Sequence, residues 1–385
     1  MVQDGVSGVI PVVDVSEHVF ERISGDDVTH HVSDRVVETC AREIARAFEE
    51  YGAVVVRDER VSEQENDAFV RLLQRYFVQP REIKMQDVRR EISYQRGTTP
   101  DHVERARDHA DTAKRLGQQH QPTQARSRAD PKWRVMWSLA DASSATTASS
   151  TTQNVVPLAF EKDWVETMNG WGKKLLTTLN NVCSLLAIGL GLEPDVFEKL
   201  LRGGEHLLAP TGSDLGAPDV VEGTVLAAFH YDMNFMTIHG RSSHGGLFVW
   251  TRGGERVAAH VPRGCVLLQA GAQIEMLTAG RVLRGFHEVV VTPTALHQTH
   301  RATNEASRWR VSSTVFAHVR SDVLLTPLID EDTTTAHSQR ACSSSKLHQP
   351  SSSSCSSSSQ WRRTPQLARD QIRDELQAIA LANHD

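Results

Sequence analysis

A histidine and an aspartate stand one residue apart in FHYDMNFMTIHG, residues 229–240, at positions 230 and 232. If this stretch is a strand, residues two apart face the same side, so His230 and Asp232 can aim an imidazole and a carboxylate at one point. His-x-Asp also arises by chance in any long chain, and alone it is more often a surface or capping pair than a site. A third ligand and a suitable scaffold are therefore needed.

A second histidine, His287, follows 55 residues after Asp232, inside the alternating stretch GRVLRGFHEVVV. Two histidines and one carboxylate form a facial set of ligands that holds Fe(II) and leaves three positions open. Imidazole and carboxylate suit a redox-active divalent iron better than thiolates would. The sequence therefore predicts an iron centre formed by His230, Asp232 and His287.

An arginine and a serine repeat the period of two farther along the chain, in Arg310-Val311-Ser312. On one strand face, a guanidinium and a hydroxyl form a fork suited to a carboxylate. Two alternatives stay open from the residues alone. Arg310 could pair with an acidic residue on the sheet, and Ser312 could only fill a ladder position.

The second half of the chain must supply the scaffold, and it consists of closely spaced apolar segments. Most of them have no helix between them, and TRGGE (251–255) is a hairpin turn signal. This pattern favours an antiparallel sandwich or jelly roll over a parallel sheet. The predicted strands are TVLAAFH (224–230), FMTIH (235–239), LFVW (247–250), RVAAHV (256–261), CVLLQA (265–270), VLRGFHEVVV (282–291) and WRVSSTVFAHV (309–319).

The first half mixes strands and helices. Ser62 and Glu65 have the spacing of a capping box at a helix start, and Gly52 is placed to end the helix before it. From Asp163 a long amphipathic helix carries an apolar stripe that we interpret as core. The other predicted elements are a strand at 10–15, a helix at 34–51, a strand at 53–56 and a helix from 62 to 79.

The C-terminal part contains a serine-rich insert and then a helix. Residues 336–363 lack apolar periodicity, and we expect them to be disordered. Residues 364–385 form a predicted helix whose stripe comprises Leu367, Ile372, Leu376 and Ile379. A lone helix of this length is marginal in water, so we expect it to dock on the body.

Composition narrows the classes of protein that fit. The 385 residues carry a net charge of -6, which argues against nucleic acid as a partner. The longest apolar stretch, LLAIGLGL (185–192), is too short to span a membrane, and no signal peptide is recognised. Five cysteines without CxxC spacing favour a reducing cytoplasm. We expect a small-molecule substrate, and no protein partner is predicted.

Four motifs in order resemble the isopenicillin N synthase-like group of Fe(II)/2-oxoglutarate-dependent oxygenases. The resemblance covers most of the chain, and each motif alone is only moderately specific. The similar stretches are the N-terminal IPVVDV with EEYGAVVVRD and YFVQPREIKMQ, then HYDMNFMTI, then LLQAGAQIEMLTAGRVLRGFHEVVV, and finally RWRVSSTVF.

This resemblance implies a mainly β fold with flanking helices, in which a double-stranded β-helix (jelly roll) core follows an N-terminal α/β region. It places His230, Asp232 and His287 at the iron-ligand positions, and Arg310 and Ser312 at the position that grips 2-oxoglutarate. The implied activity is that of a dioxygenase: Fe(II), 2-oxoglutarate and O2 oxidise a small organic molecule, with release of succinate and CO2.

Two departures from the family pattern bear on the site. The region LLAPTGSDL (207–215) replaces an Asn-Tyr-Tyr-Pro-like stretch, so no further contact to 2-oxoglutarate can be transferred. A segment at 292–309 also separates His287 from Arg310, and its His300 competes for the role of third ligand. We favour His287, because it lies within a β-branched strand while His300 follows polar sequence.

The predicted organisation is an N-terminal region at 1–140, an oxygenase core at 154–335, the insert at 336–363 and the terminal helix at 364–385. Three alternatives remain open. Some relatives use iron and oxygen without 2-oxoglutarate, and their Arg-x-Ser then holds a substrate carboxylate. The second is a catalytically silent jelly-roll binding module, against which the intact ligands count. The third is an interaction protein that works through the serine tract and the terminal helix. The substrate is not identified by the sequence.

Overall fold

The structure, a computed structural model, describes residues 9–17, 20–22, 28–30, 34–127, 129–140, 153–329 and 365–379. Its strands are β1 Val12–Asp14, β2 Phe20–Arg22, β3 Val28–His30, β4 Ala53–Arg57, β5 Gly97–Thr99, β6 Trp133–Ser138, β7 Leu207–Leu208, β8 Thr211–Asp214, β9 Val225–His230, β10 Met236–His239, β11 Leu247–Trp250, β12 Arg256–Ala258, β13 Cys265–Ala270, β14 His287–Val290, β15 Trp309–Ser312, β16 Thr314–Ala317, β17 Leu324–Leu325 and β18 Gln366–Leu367. Its α-helices are α1 Asp34–Tyr51, α2 Glu63–Phe77, α3 Arg81–Lys84, α4 Ala110–Ala113, α5 Trp164–Gly189, α6 Val196–Leu201, α7 Ala272–Leu277, α8 Pro293–His300 and α9 Ala368–Ala378.

The larger sheet has the strand order β1-β4-β13-β10-β16-β7-β6-β8-β15, with β5 paired to β6. Apart from the parallel pair of β1 and β4, its ladders are antiparallel. Strands β4 and β6 come from the N-terminal region, yet they join strands of the core in this one sheet. The domain boundary predicted between residues 140 and 154 stays a prediction.

The smaller sheet has the order β12-β11-β14-β9. Its strands β14 and β9 are antiparallel neighbours, and their register sets His287 directly opposite His230. A cavity between the sheets is lined from the smaller sheet by Ala227, Leu247 and Val289, and from the larger by Leu267 and Thr314. The mainly β fold with flanking helices and a jelly-roll core is confirmed.

Helices cover the larger sheet. The long helix α5 packs against α1 and α2, and its Trp164, Met168 and Leu175 are fully buried. This stripe is therefore core, as predicted. The capping box of α2 is also present, because Ser62 Oγ accepts from the Glu65 amide at 3.2 Å and donates to its carboxylate at 2.7 Å.

Several predicted elements differ in extent from the observed ones. The stretch 282–291 forms a strand only over β14, and 309–319 is split into β15 and β16. Helix α9 begins at Ala368, later than predicted, and β18 before it pairs with β17; residues 380–385 of the predicted helix lie outside the described residues. The insert at 336–363 lies outside the described residues. Among those described, no helix is long and apolar enough to cross a membrane.

Candidate metal centre

The pairing of β9 with β14, and the segment that follows β9, bring His230, Asp232 and His287 together. His230 ends β9 and His287 begins β14, so the two rings are cross-strand neighbours with centroids 4.2 Å apart. Asp232 lies beyond the end of β9, so the expectation that one strand carries both His230 and Asp232 is wrong. The backbone carbonyl of Asp232 instead accepts from the Ala272 amide at 2.9 Å, which fixes the turn.

The donor atoms of the three side chains all lie within 4.8 Å of one another. Asp232 Oδ1 is 3.8 Å from His230 Nε2 and 3.9 Å from His287 Nε2. Both distances exceed hydrogen-bonding range, so the three atoms face a common point without bonding one another. Two imidazoles and a carboxylate on one side of a point match the facial arrangement for Fe(II).

Hydrogen bonds to the remaining polar atoms orient each ligand. The Nδ1 atoms of His230 and His287 lie 2.6 Å and 3.1 Å from the carbonyl oxygens of Ala228 and Gly285. Donation from Nδ1 leaves the Nε2 lone pair for a metal. Thr237 donates to Asp232 Oδ2 at 2.6 Å, which leaves Oδ1 free to coordinate. These side chains therefore fit a divalent iron.

Burial and mutual charge favour the metal-binding forms of His230 and Asp232. Burial lowers the pKa of His230 well below its ordinary value, and the neighbouring His287 adds to this effect. Burial alone would raise the pKa of Asp232, but His287, His230 and the Thr237 hydrogen bond outweigh it and lower the pKa. A neutral imidazole and an ionised carboxylate at neutral pH are the forms that bind metals.

Arg310 and Ser312 line the same cavity of about 340 Å³ as the three ligands. Arg310 is only 7% exposed, and its Nε donates to the Gly245 carbonyl at 3.0 Å. Burial lowers its pKa to about 10, so the guanidinium stays charged at neutral pH. Ser312 Oγ lies 2.8 Å from the hydroxyl of Thr211. Since a buried charge is costly without a partner, this cavity is suited to an anion.

The alternative that Arg310 pairs with an acidic residue of the sheet is not supported. Throughout the described segments, no carboxylate forms an ion pair with Arg310, and burial is the only influence that shifts its pKa. The competing histidine is also placed elsewhere. His300 lies exposed at the end of α8, and the cluster of donor atoms contains His287 instead.

Sequence reasoning missed several polar residues around the centre. His239 lies in the first cavity, where its ring nitrogens contact Thr314 Oγ1 at 3.1 Å and Gln269 Oε1 at 2.9 Å. His239 ends β10 and is not part of the cluster of three metal-binding side chains. Lys132, directly before β6, and Arg134 of β6 carry no sequence signal, because only the sheet pairing of β6 brings them near the ligands.

A second cavity, of about 120 Å³, meets the first at His230 and Asp232. Arg310 and Ser312 line only the first cavity, whereas helix α9 lines only the second. The three metal-binding side chains therefore border two cavities. One suits an anion, and the other, under α9, is mostly apolar.

A jelly roll that holds two histidines and one carboxylate beside a buried arginine has the architecture of a mononuclear non-haem iron oxygenase. Comparison with family models agrees with this class. Residues 10–138 match the model described as "non-haem dioxygenase in morphine synthesis N-terminal", and residues 217–319 match the 2OG-Fe(II) oxygenase superfamily. The two matches together place the chain in the 2OG-Fe(II) oxygenase superfamily and are consistent with its isopenicillin N synthase-like group.

Solved structures share the fold at low sequence identity. A 2OG-Fe(II) oxygenase family protein from Caulobacter crescentus superposes with a TM-score of 0.69 at 20% identity, over 97% of this chain and 100% of that chain. A full-length protein from Neurospora crassa, solved in complex with alpha-KG, gives 0.68 at 16% identity over 98% of both chains. The dioxygenase for auxin oxidation 1 from Arabidopsis thaliana gives 0.55 at 16%, over 84% and 99%. Comparison with curated protein sequences finds no significant match.

Proposed function

We propose that this protein is a Fe(II)- and 2-oxoglutarate-dependent dioxygenase that oxidises a small organic molecule. One observation supports the proposal above all others: a buried guanidinium without a carboxylate partner among the described residues lies in the same cavity as the three metal-binding side chains. In the overall reaction, 2-oxoglutarate, O2 and a C–H bond of the substrate give succinate, CO2 and an oxidised product such as the alcohol.

His230, Asp232 and His287 hold the iron, which supplies the redox chemistry that couples 2-oxoglutarate decarboxylation to substrate oxidation. Each imidazole offers Nε2, because its Nδ1 faces a backbone carbonyl. Asp232 offers Oδ1, because its other oxygen accepts from Thr237. These three donor atoms would hold Fe(II) as a facial set of ligands, and the iron would supply the redox chemistry.

Arg310 and Ser312 bind the far carboxylate of 2-oxoglutarate. The Nε of Arg310 is occupied by Gly245, so the terminal amino groups of the guanidinium are left for a two-pronged contact. Ser312 and its partner Thr211 add hydroxyl donors in the same cavity. In support, the Neurospora crassa protein was solved with alpha-KG and the auxin dioxygenase with 2-oxoglutarate.

The organic substrate is not inherited from these relatives. The Neurospora crassa protein was also solved with thymine, whereas JOX2 was solved with JA. At 16–18% identity the likeness to these proteins shows the fold and does not identify the substrate of this chain. We place the protein in the cytoplasm as part of the proposal, since Cys40, Cys183 and Cys265 are buried free thiols.

The test is succinate release by the iron-loaded protein incubated with 2-oxoglutarate in air. We expect slow release without a substrate, one bound iron per chain, and loss of both in Asp232→Ala. His300→Ala is the matched control, because His300 is exposed on α8 and both properties should survive. If His300→Ala strips the metal and His287→Ala does not, the ligand assignment is wrong.

The same experiment separates the two cosubstrate alternatives. If no succinate appears, and 2-oxoglutarate leaves the visible spectrum of the iron unchanged under nitrogen, the 2-oxoglutarate assignment fails. Arg310 would then hold the carboxylate of the substrate itself, as in an oxidase that uses no 2-oxoglutarate.

A further inference from the structure

The second cavity differs in character from the one that contains Arg310. It measures about 120 Å³ and ends at His230 and Asp232. Much of its wall is apolar, and helix α9 supplies a large part of that apolar wall. The apolar residues include Met136, Leu207, Phe316, Ile372, Leu376 and Ile379.

Four charged side chains of this cavity pair with one another. Arg134 forms a two-pronged contact to Glu104 at 2.6 and 2.9 Å. Lys132 lies 3.1 Å from Glu104 and 2.5 Å from Asp130. Two cations and two anions therefore balance. Glu104, Asp130 and Lys132 are at most 8% exposed, and the side chain of Arg134 is 11% exposed. An anionic ligand would find no unpaired buried cation among these residues, in contrast to the first cavity.

Helix α9 docks through polar side chains and leaves its apolar stripe to the cavity. Glu375 accepts from Arg107 and from the Tyr231 hydroxyl, both at 3.0 Å. Gln371 donates to the Met233 carbonyl and accepts from the buried Gln273. An amphipathic helix usually buries its apolar face against the core. Here the polar anchors are buried, while the apolar stripe lines an open space.

One polar group in the wall has ring atoms available for a ligand. His318 lines the cavity, and within the described residues its ring nitrogens make no hydrogen bond; only its backbone amide donates, to His206. Burial lowers the pKa of His318 to about 3, so its imidazole is neutral and offers one donor and one acceptor. A hydroxyl, carbonyl or ring nitrogen would satisfy it without bringing a charge.

From these contacts we propose that the second cavity binds the organic substrate under a roof formed by α9. The cavity selects a small, uncharged and mainly apolar molecule that carries one polar group. The inference rests on the proposed function, because it places the substrate beside the ligands His230 and Asp232.

The test uses binding of two fluorinated probes, followed by fluorine NMR on the metal-free and the iron-loaded protein. 4-Fluorophenol is uncharged at neutral pH, and 4-fluorobenzoate has the same ring with a negative charge. The comparison is made in Arg310→Gln, because the guanidinium of the first cavity could otherwise bind 4-fluorobenzoate. In that variant we expect 4-fluorophenol to bind at least about ten times more tightly than 4-fluorobenzoate, about 1.4 kcal/mol. Because the probes need no iron, failure of the metal assignment would not hide this result.

Variants of α9 locate the binding. Leu376→Trp should fill the cavity and abolish 4-fluorophenol binding, whereas Gln377→Trp, on the exposed side of the same turn, should leave it unchanged. Leu376→Ala should widen the cavity and admit 6-fluoro-2-naphthol. Glu375→Gln keeps a partner for Tyr231 but leaves Arg107 without its carboxylate, so 4-fluorobenzoate should gain about threefold in affinity.

Three results would overturn the proposal. One is failure of 4-fluorophenol to bind at all, and another is equal or tighter binding of 4-fluorobenzoate in Arg310→Gln. The third is that Leu376→Trp and Gln377→Trp behave alike, so that both variants lose 4-fluorophenol binding or both keep it. The probe would then bind elsewhere.

Discussion

At the scale of single residues, each metal-binding side chain uses one polar atom for a hydrogen bond within the protein and leaves another for a metal. Asp232 depends most on such support, because it lies in a turn beyond β9 and no ladder fixes it. The hydroxyl of Thr237, a fully buried residue of β10, holds one of its carboxylate oxygens. The orientation of Asp232 is therefore set by a side chain that never touches the metal.

Replacing Thr237 tests this dependence. Thr237→Val removes the hydroxyl at nearly constant shape, so the affinity for Fe(II) should fall by about 10- to 100-fold, the range usual for lost partners of metal ligands. Thr237→Ser keeps the hydroxyl and should stay close to the unmodified protein. The measurement is a titration with Fe(II) under nitrogen. An affinity that falls equally in both variants would show that methyl packing, and not the hydrogen bond, matters.

Arg310 carries the prediction for the cosubstrate. Arg310→Lys keeps the charge but loses the fork, so the affinity for 2-oxoglutarate should fall about tenfold or more, at about 1.4 kcal/mol per decade. Arg241→Lys is the control, because Arg241 lines the same cavity but lies 3.6 Å from Asp67. Calorimetry on the iron-loaded protein measures both. Unchanged binding in Arg310→Lys would remove Arg310 from the 2-oxoglutarate site.

At the scale of elements, α9 links distant parts of the chain through buried polar contacts. Truncation before residue 364 would leave Gln273, Arg107 and Tyr231 without their partners on α9. At about 1 kcal/mol for each lost hydrogen bond, the melting temperature should fall by about 4 °C. Truncation after residue 379 keeps these contacts and should change it little. A similar melting temperature in both truncated proteins would mean that α9 contributes no stability.

The sequence predicted those elements whose apolar pattern is local. The stripe of α5 and the capping box of α2 depend on residues three or four apart, and both were confirmed. Strands β7 and β8 were missed, because they are short and owe their pairing to β15 and β16, about 100 residues away. The docking of α9 was predicted, but its polar anchors were not, since Glu375 pairs with Arg107 across most of the chain.

The candidate site shows the same division. Its residues could be predicted from their types and spacing. The structure sets His230 and His287 opposite each other in one ladder. The position of Asp232 in a turn could not be predicted, because contacts from Thr237 and Ala272 determine it. The buried charge cluster of Lys132, Glu104 and Asp130 could not be predicted either, because isolated charged residues in a sequence do not indicate burial.

At the scale of the whole molecule, the fold encloses histidines whose pKa values burial lowers below the ordinary 6.5. The pKa falls to about 4 for His109, His206 and His244, and to about 3 for His318. In the unfolded chain these rings take up protons near pH 6.5, whereas in the folded protein they do so only near pH 4 or below. Their contribution to stability is therefore fully present above about pH 6.5 and is lost progressively as the pH falls towards the folded values.

We therefore expect the free energy of unfolding of the metal-free protein to decrease steadily from pH 7 to pH 4.5, as measured by urea titration in the presence of a chelator. Each buried histidine adds a slope of about 1.4 kcal/mol per pH unit between its two pKa values. His109→Phe is the matched variant, because His109 packs among Phe229, Tyr231 and Phe286, where another aromatic ring fits. In that variant the slope should be smaller by about 1.4 kcal/mol per pH unit between the two pKa values of His109, and the free energy of unfolding at pH 7 should stay unchanged. A stability that is flat below pH 6.5, or an unchanged slope in His109→Phe, would show that these rings already bind protons in the folded state.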